Sequence, residues 1–145
     1  MSDIQLLPAV VEFLARPHGH FIGGQYLAGE AGPSVDIHDP SSGAVISRVA
    51  EASEAEVVRA VVSARQAFKG SWAEVSPYQK GVVLNRLADL IEANAEELAQ
   101  LETLCSGKSI NLSRGLEIAQ SVVFLRYFAG WATKITVQTM TTSLP

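Results

Sequence analysis

Cysteine is nearly missing from this chain. Cys105 is the one thiol among 145 residues, so no intrachain disulfide can form and a reducing compartment is the simpler setting. No histidine follows His38, which leaves Cys105 without a nearby imidazole, and it shares a helical stripe with Leu98 and Leu101. It is expected to be a buried, inert packing thiol rather than an activated nucleophile, with Lys108 its one local cation. A secretory leader is absent as well. Asp3 stands where a positive segment would be, and Pro8 and Glu12 interrupt the apolar run. With no address signal, a cytoplasmic location is expected, and the sequon Asn111-Leu112-Ser113 has no meaning without secretion. The charges, net −4, are interspersed, and no basic patch with interleaved aromatics exists, which argues against nucleic acid as a partner.

Complete catalytic and binding motifs are lacking too. Gly107-Lys108-Ser109 looks like the end of a phosphate-binding loop, but Glu102 occupies the position that needs the first glycine, and a helix precedes it instead of a strand. The glycine-rich stretch 23–32 lacks the strand, Gly-x-Gly-x-x-Gly, helix order of a dinucleotide fingerprint. His18-Gly19-His20, with Asp36, His38 and Asp39 further on, has neither cysteine ligands nor zinc-type spacing, and these histidines read as solvent-exposed connectors. Direct motif reading therefore assigns no catalytic, cofactor-binding or metal-binding set.

What is present is enough for one compact domain: 48% of residues are hydrophobic, an ordinary globular share. Residues 6–15 predict a short helix with Pro8 in its first turn. Phe21-Ile22 and Gln25-Tyr26-Leu27 flank Gly23-Gly24, a hairpin whose turn needs positive φ. A second hairpin pairs 35–38 with 45–49 across Asp39-Pro40-Ser41-Ser42-Gly43. Ser53 and Glu56 form a capping box ahead of Val57, Val61, Ala64 and Phe68, and Gly70 stops that helix. Ser76-Pro77 opens the next, with Val83, Leu84, Leu87, Leu90 and Ile91 as its expected buried stripe. Asn94 and Glu97 predict a further cap, before Leu98, Leu101, Leu104 and Cys105 on one face and Gly107 at the end. Glu96-Glu97 reads as solvated surface.

A fourth, longer helix is expected over 112–135. Between Gly115 and Thr133 only Glu117, Gln120, Ser121 and Arg126 break an apolar or small-residue stretch, so this helix must be covered on most sides. Its charges, Glu117 and Arg126, argue against a membrane span. Residues 136–142 alternate and are β-branched, which predicts a strand with nothing after it to pair with. The expectation is an intact start and a missing continuation, with α+β architecture: two small hairpins packed with four helices.

Six segments in order then resemble the opening of the aldehyde dehydrogenase family. They are Phe21-Ile22-Gly23-Gly24-Gln25, the turn 39–46, the helix 60–68, Arg86-Leu87-Ala88-Asp89-Leu90-Ile91-Glu92, Leu101-Glu102-Thr103-Leu104 with Gly107-Lys108, and Arg126-Tyr127-Phe128-Ala129-Gly130-Trp131-Ala132. Residues 96–110, Ser113-Arg114, Thr133-Lys134-Ile135 and Ser143-Leu144-Pro145 are similar to bacterial phenylacetaldehyde dehydrogenases in particular, as is the stretch 13–19. The resemblance implies an N-terminal extension at 1–20, the first part of an α/β cofactor-binding domain at 21–135, and the start of an oligomerisation β-arm at 136–145. It implies that Leu116 and Gln120, one turn apart on one helix face, line a substrate tunnel, with Gln120 departing from the apolar residue common there. A monovalent-cation site of some members, matching Ile37, His38 and Cys105, is weakened by the cysteine.

It further implies an enzyme using NAD or NADP to oxidise an aldehyde, such as phenylacetaldehyde, to the acid. The nucleophilic cysteine, oxyanion asparagine and general-base glutamate would lie beyond Pro145, so the chain alone is expected to be inactive and to bind no cofactor. Expected partners are the remainder of the dehydrogenase, homo-oligomer subunits and a small aldehyde, without nucleic acid or membrane. The alternative is a truncated, non-catalytic interaction module that docks on full-length subunits.

Overall fold

The computed structural model describes residues 5–28 and 32–136. The strand expected over 136–142 and the β-arm at 136–145 fall, beyond Thr136, outside the described residues. The architecture is α+β, as expected: two separate antiparallel hairpins and a set of helices.

Helix α1 (Pro8–Ala15) starts at Pro8, whose missing N–H is no loss in a first turn, and buries Val10 completely. The hairpin β1 (His20–Ile22) and β2 (Gln25–Leu27) turns through Gly23 and Gly24, at φ 62° and 80°. Its base is locked by Tyr26. The phenol Oη accepts from Gly19 N–H at 2.7 Å and donates to Pro17 O at 3.0 Å. Gly19 is obligatory, because a Cβ there would sit 2.0 Å from Leu27 O. The second hairpin pairs β3 (Ser34–His38) with β4 (Val45–Ala50), with a register shift between Ile37 and His38. Its turn is closed by Asp39, whose carboxylate accepts from Ser41 N–H and from the Ser41 and Ser42 hydroxyls at 2.7–2.9 Å. His18 adds a parallel bridge beside Val49.

The capping box of α2 (Glu54–Lys69) is formed: Glu56 N–H donates to Ser53 Oγ at 3.2 Å and Ser53 N–H donates to Glu56 Oε2 at 2.9 Å. That satisfies a carboxylate only 1% exposed. A short helix, α3 (Ser71–Glu74), follows, and α4 (Pro77–Ala93) begins with a second capping box between Ser76 and Gln79. Next come α5 (Ala95–Ser106) and α6 (Ile110–Leu112), then a π-helical turn (Ser113–Ile118) and α7 (Ala119–Trp131). Gly107 ends α5 with φ 74°, the left-handed cap its position predicts. No described helix is long and apolar enough to cross a membrane.

Several expectations change. The Asn94–Glu97 cap does not form. Helices α4 and α5 abut with one residue between them, and Asn94 Nδ2 turns back to donate to Leu90 O at 2.7 Å, serving the end of α4 instead. The fourth helix starts at Ile110, because Ser109 caps it by accepting from Leu112 N–H, and it ends at Trp131 rather than at 135. The stripes also rotate. On α4 the buried residues are Gly81 and Ala88, whereas Val83, Leu87 and Leu90 are exposed. On α5 the fully buried residues are Ala99, Gln100 and Thr103, with Leu98, Leu101 and Leu104 half-buried and Cys105 exposed. On α2, Val57, Val61 and Phe68 are likewise exposed.

On α4 the physical reason is the contact with α7, the most extensive between any two elements. A Cβ at Gly81 would lie 2.8 Å from Ala129 O. Backbones this close select the face with the smallest side chains and push larger ones to its flanks. Arg126 fixes the rotation of α7 on that seam, through Asp89 at 2.9 Å and Glu92 at 2.6 Å.

Two glycines of this helix pair should therefore respond in opposite directions. Gly81→Ala is expected to destabilise by about 1–3 kcal/mol through overpacking. Gly130→Ala, whose new Cβ would meet nothing nearer than Lys134 Nζ at 3.9 Å, should stabilise, by about 0.4–1 kcal/mol. Urea-denaturation midpoints check both, and equal midpoints would contradict the seam.

Candidate functional site

The chemistry-bearing side chains outside the hairpins concentrate where α5 meets the π-helical turn. Thr103 Oγ1 donates to Ser113 Oγ at 2.9 Å, and these two residues are 3% and 0% exposed. Arg114 grips Glu96 with two bonds, Nε to Oε2 at 2.6 Å and Nη2 to Oε1 at 2.5 Å. Lys108 bridges Glu102 at 3.2 Å and Glu117 at 2.9 Å. Ser113 and Arg114 are thus tied directly to α5, and Glu117 is tied to it through Lys108.

The opposite side of the turn is open. Leu116 is 46% exposed, and Gln120 on the next turn is exposed too. Below them Val123, Phe124, Tyr127, Phe128 and Trp131 of α7 are exposed, while Val122 and Ala129 are buried. Helix α7 therefore has two apolar sides. The small-residue side packs on α4, and the aromatic side faces outward, with Tyr127 edge-on to Phe128 at 5.3 Å. A helix apolar on most sides is what the sequence predicts, and here one of those sides is uncovered.

The electrostatics follow from these pairings. Hydrogen bonds from Arg114 and then Gln100 hold the Glu96 carboxyl below the usual range. The hydrogen bonds that Lys108 donates to Glu117 and then Glu102 raise Lys108, and those that Arg114 donates to Glu96 raise Arg114. Partial desolvation, then the Glu102 carboxylate, push the Cys105 thiol up. Cys105 is exposed rather than buried, yet its surroundings keep it protonated, which opposes nucleophile activation.

The histidines also differ from expectation. Neither is a solvent-exposed connector. The His18 ring packs on Phe13 with centroids 4.5 Å apart, and Nε2 of both His18 and His20 is shielded from solvent. His20 Nε2 lies 3.9 Å from Glu56 Oε2. Among the described residues no group of three or more His, Cys, Asp or Glu side chains could hold a metal ion. Near the positions matched to a cation site, Ile37, His38 and Cys105, the second hairpin's turn reaches the α5 terminus: Pro40 lies 3.2 Å from where a Gly107 Cβ would be.

Sequence reasoning missed the Glu96–Arg114 grip, having read Glu96 as solvated surface. It also missed the Thr103–Ser113 pair and the π turn. The Ser109 cap was the available signal, since a serine just before Ile110-Asn111-Leu112 moves the helix start upstream.

A family profile described as "Aldehyde dehydrogenase family" matches residues 26–144. An aldehyde dehydrogenase of Davidiella tassiana is 40% identical over 99% of this chain, which covers 29% of that protein. A phenylacetaldehyde dehydrogenase of Pseudomonas fluorescens is 39% identical over 96% of the chain and 28% of its own length. Among solved structures, an NAD+ complex of an aldehyde dehydrogenase from Bacillus cereus superposes with a TM-score of 0.89 at 39% identity, over 97% of this chain and 29% of that one. The chain thus spans less than a third of the length of these relatives.

Two measurements follow from the pairings. A carboxylate held below its ordinary pKa adds stability above that pKa, about 4.3 for glutamate, and loses it as pH falls through the lowered value. Glu96→Gln should therefore lower the urea midpoint at neutral pH, with the gap to wild type closing progressively below about pH 4. Iodoacetamide should label Cys105 slowly at neutral pH, and Glu102→Gln should speed the labelling by removing the neighbouring negative charge.

Proposed function

Because the chain belongs to the aldehyde dehydrogenase family, we propose that it is the opening portion of an enzyme that oxidises an aldehyde to the carboxylic acid with a nicotinamide cofactor. The proposed substrate class is arylacetaldehydes, phenylacetaldehyde first. Leu116 and Gln120 form part of the wall that the aldehyde passes. The observation that carries this reading is the uncovered face of the last helix, where Leu116 continues into Phe124 and Tyr127. A contiguous apolar and aromatic surface marks a binding or docking face, and an aryl group fits it by burial and ring contact.

Gly23 and Gly24 sit in a hairpin turn, not between a strand and a helix N-terminus. A nicotinamide cofactor bound to the complete enzyme would supply the hydride acceptor for the oxidation. What this chain's own residues supply is orientation: a fixed apolar wall that excludes water from one side of the substrate. In this reading the nucleophile, oxyanion donor and general base lie in the remainder of the enzyme, which is a cytoplasmic homo-oligomer using NAD or NADP.

The same uncovered face supports a second reading, a non-catalytic module that docks on full-length subunits. The native mass separates the two. A natively expressed protein several-fold heavier than this chain, reducing NAD or NADP with phenylacetaldehyde, supports the enzyme. A native mass matching 145 residues with no activity supports the module. In the full-length enzyme, Leu116→Ala should lower kcat/KM for phenylacetaldehyde by about tenfold relative to acetaldehyde, the scale of a lost apolar contact. An unchanged ratio removes Leu116 from the substrate wall.

A further inference from the structure

Two docking registers meet at the π-helical turn. On its C-terminal side, α7 is locked to α4 by the close approach at Gly81 and Ala129 and by the grip of Arg126 on Asp89 and Glu92. On its N-terminal side, Ser113 and Arg114 are locked to α5 through Thr103 and Glu96. A regular α-helix turns by about 100° per residue, so it meets both sets of partners only where their angular offset suits its 3.6-residue period. A π turn carries one extra residue and absorbs a mismatch. It is a rare and poorly bonded geometry, which persists where its surroundings over-determine it. Here the surroundings do so, with the buried Thr103–Ser113 hydroxyl pair at the centre and Lys108 reaching across to Glu117. Leu116 lies within this turn, next to Glu117.

We propose that Thr103, through its bond to Ser113, is a positioning residue for substrate selectivity: α5 holds the π turn open and thereby sets the direction in which Leu116 meets the aldehyde. This rests on the reading of Leu116 as part of the substrate wall. Thr103 touches no substrate and acts through the turn. Losing its hydroxyl strands the buried Ser113 Oγ and loosens the turn, so Leu116 ceases to present one fixed surface to a bulky aryl group.

The test uses the full-length enzyme carrying this chain, with Thr103→Val, which keeps the shape without the hydroxyl, Thr103→Ser, which keeps the hydroxyl, and Leu116→Ala. The readouts are the ratio of kcat/KM for phenylacetaldehyde over acetaldehyde and amide hydrogen exchange across 113–118. Thr103→Val is expected to lower the ratio by about fivefold to tenfold, with KM for phenylacetaldehyde changing more than kcat. It should also speed exchange across the turn by about tenfold. Thr103→Ser should restore both. Should Thr103→Val fail to fold, Lys108→Met, which removes the bridge to Glu117, is expected to move the same two readouts in the same directions. A wild-type ratio in Thr103→Val, or in Lys108→Met used in its place, beside a lowered ratio in Leu116→Ala overturns the positioning role and leaves the substrate wall standing. An unchanged ratio in Leu116→Ala overturns the wall, and the positioning role with it.

Discussion

The absence of a side chain at Gly81 governs most of this structure. It lets the backbone of α4 lie against the carbonyl of Ala129, and that approach decides which faces of both helices can touch. Ala88 is fully buried on the same helix, while Val83, Leu87 and Leu90 look away. Packing density on the seam comes from backbone and methyl groups, and dispersion between such closely apposed atoms replaces the burial of large side chains. The polar grip of Arg126 lies at the exposed margin, where it adds rotational specificity more than stability.

The second half of the helical set inherits that constraint. Once α4 fixes the rotation of α7, the chain feeding into it must reconcile that rotation with its own contacts to α5. Those contacts are polar, with a buried Thr103–Ser113 pair and the Arg114 grip on Glu96, a carboxylate that also accepts from the buried Gln100 at 2.7 Å. Buried hydroxyl and amide groups tolerate little displacement, because each lost partner leaves a desolvated dipole. The helical path bends to suit them, rather than the reverse.

Local chemistry was legible in the sequence. The Gly23-Gly24 hairpin, the Asp39 turn, the Ser53–Glu56 capping box and the Gly107 stop each depend on a few adjacent residues, and all are present. So is the α+β class, which follows from where those signals fall. Which face of each helix is buried was not legible. Periodicity on α4 scores Val83, Leu87 and Leu90 as core because they are large, whereas close packing selected Gly81 and Ala88 because they are small. Asn94 failed as a cap for a related reason: its helix-start signal held, but no loop separated the two helices it sits between. At the candidate site, Leu116 and Gln120 came from family resemblance alone, and both are exposed on one side of the last helix. The ties that fix that helix and the turn before it, between partners 10 to 37 positions apart, leave no periodic trace.

Sequence separation also gives these contacts an order in time. The ties between α5 and the π turn join residues 9, 10 and 18 apart, and the grip of Arg126 spans 34 and 37. Leu7 reaches Gln100 across 93. The entropy of closing a loop rises with the logarithm of its length, so the short ties carry the smallest penalty and the contact of the α1 strap carries the largest. Helix α1 also meets β4, where Ser47 Oγ donates to Leu14 O across 33 positions, so it is expected to dock on β4 early and to reach Gln100 last. During synthesis the contact of Leu7 with Gln100 waits until a partner nearly a hundred residues downstream has left the ribosome, and the hairpins and α2 are made in that interval.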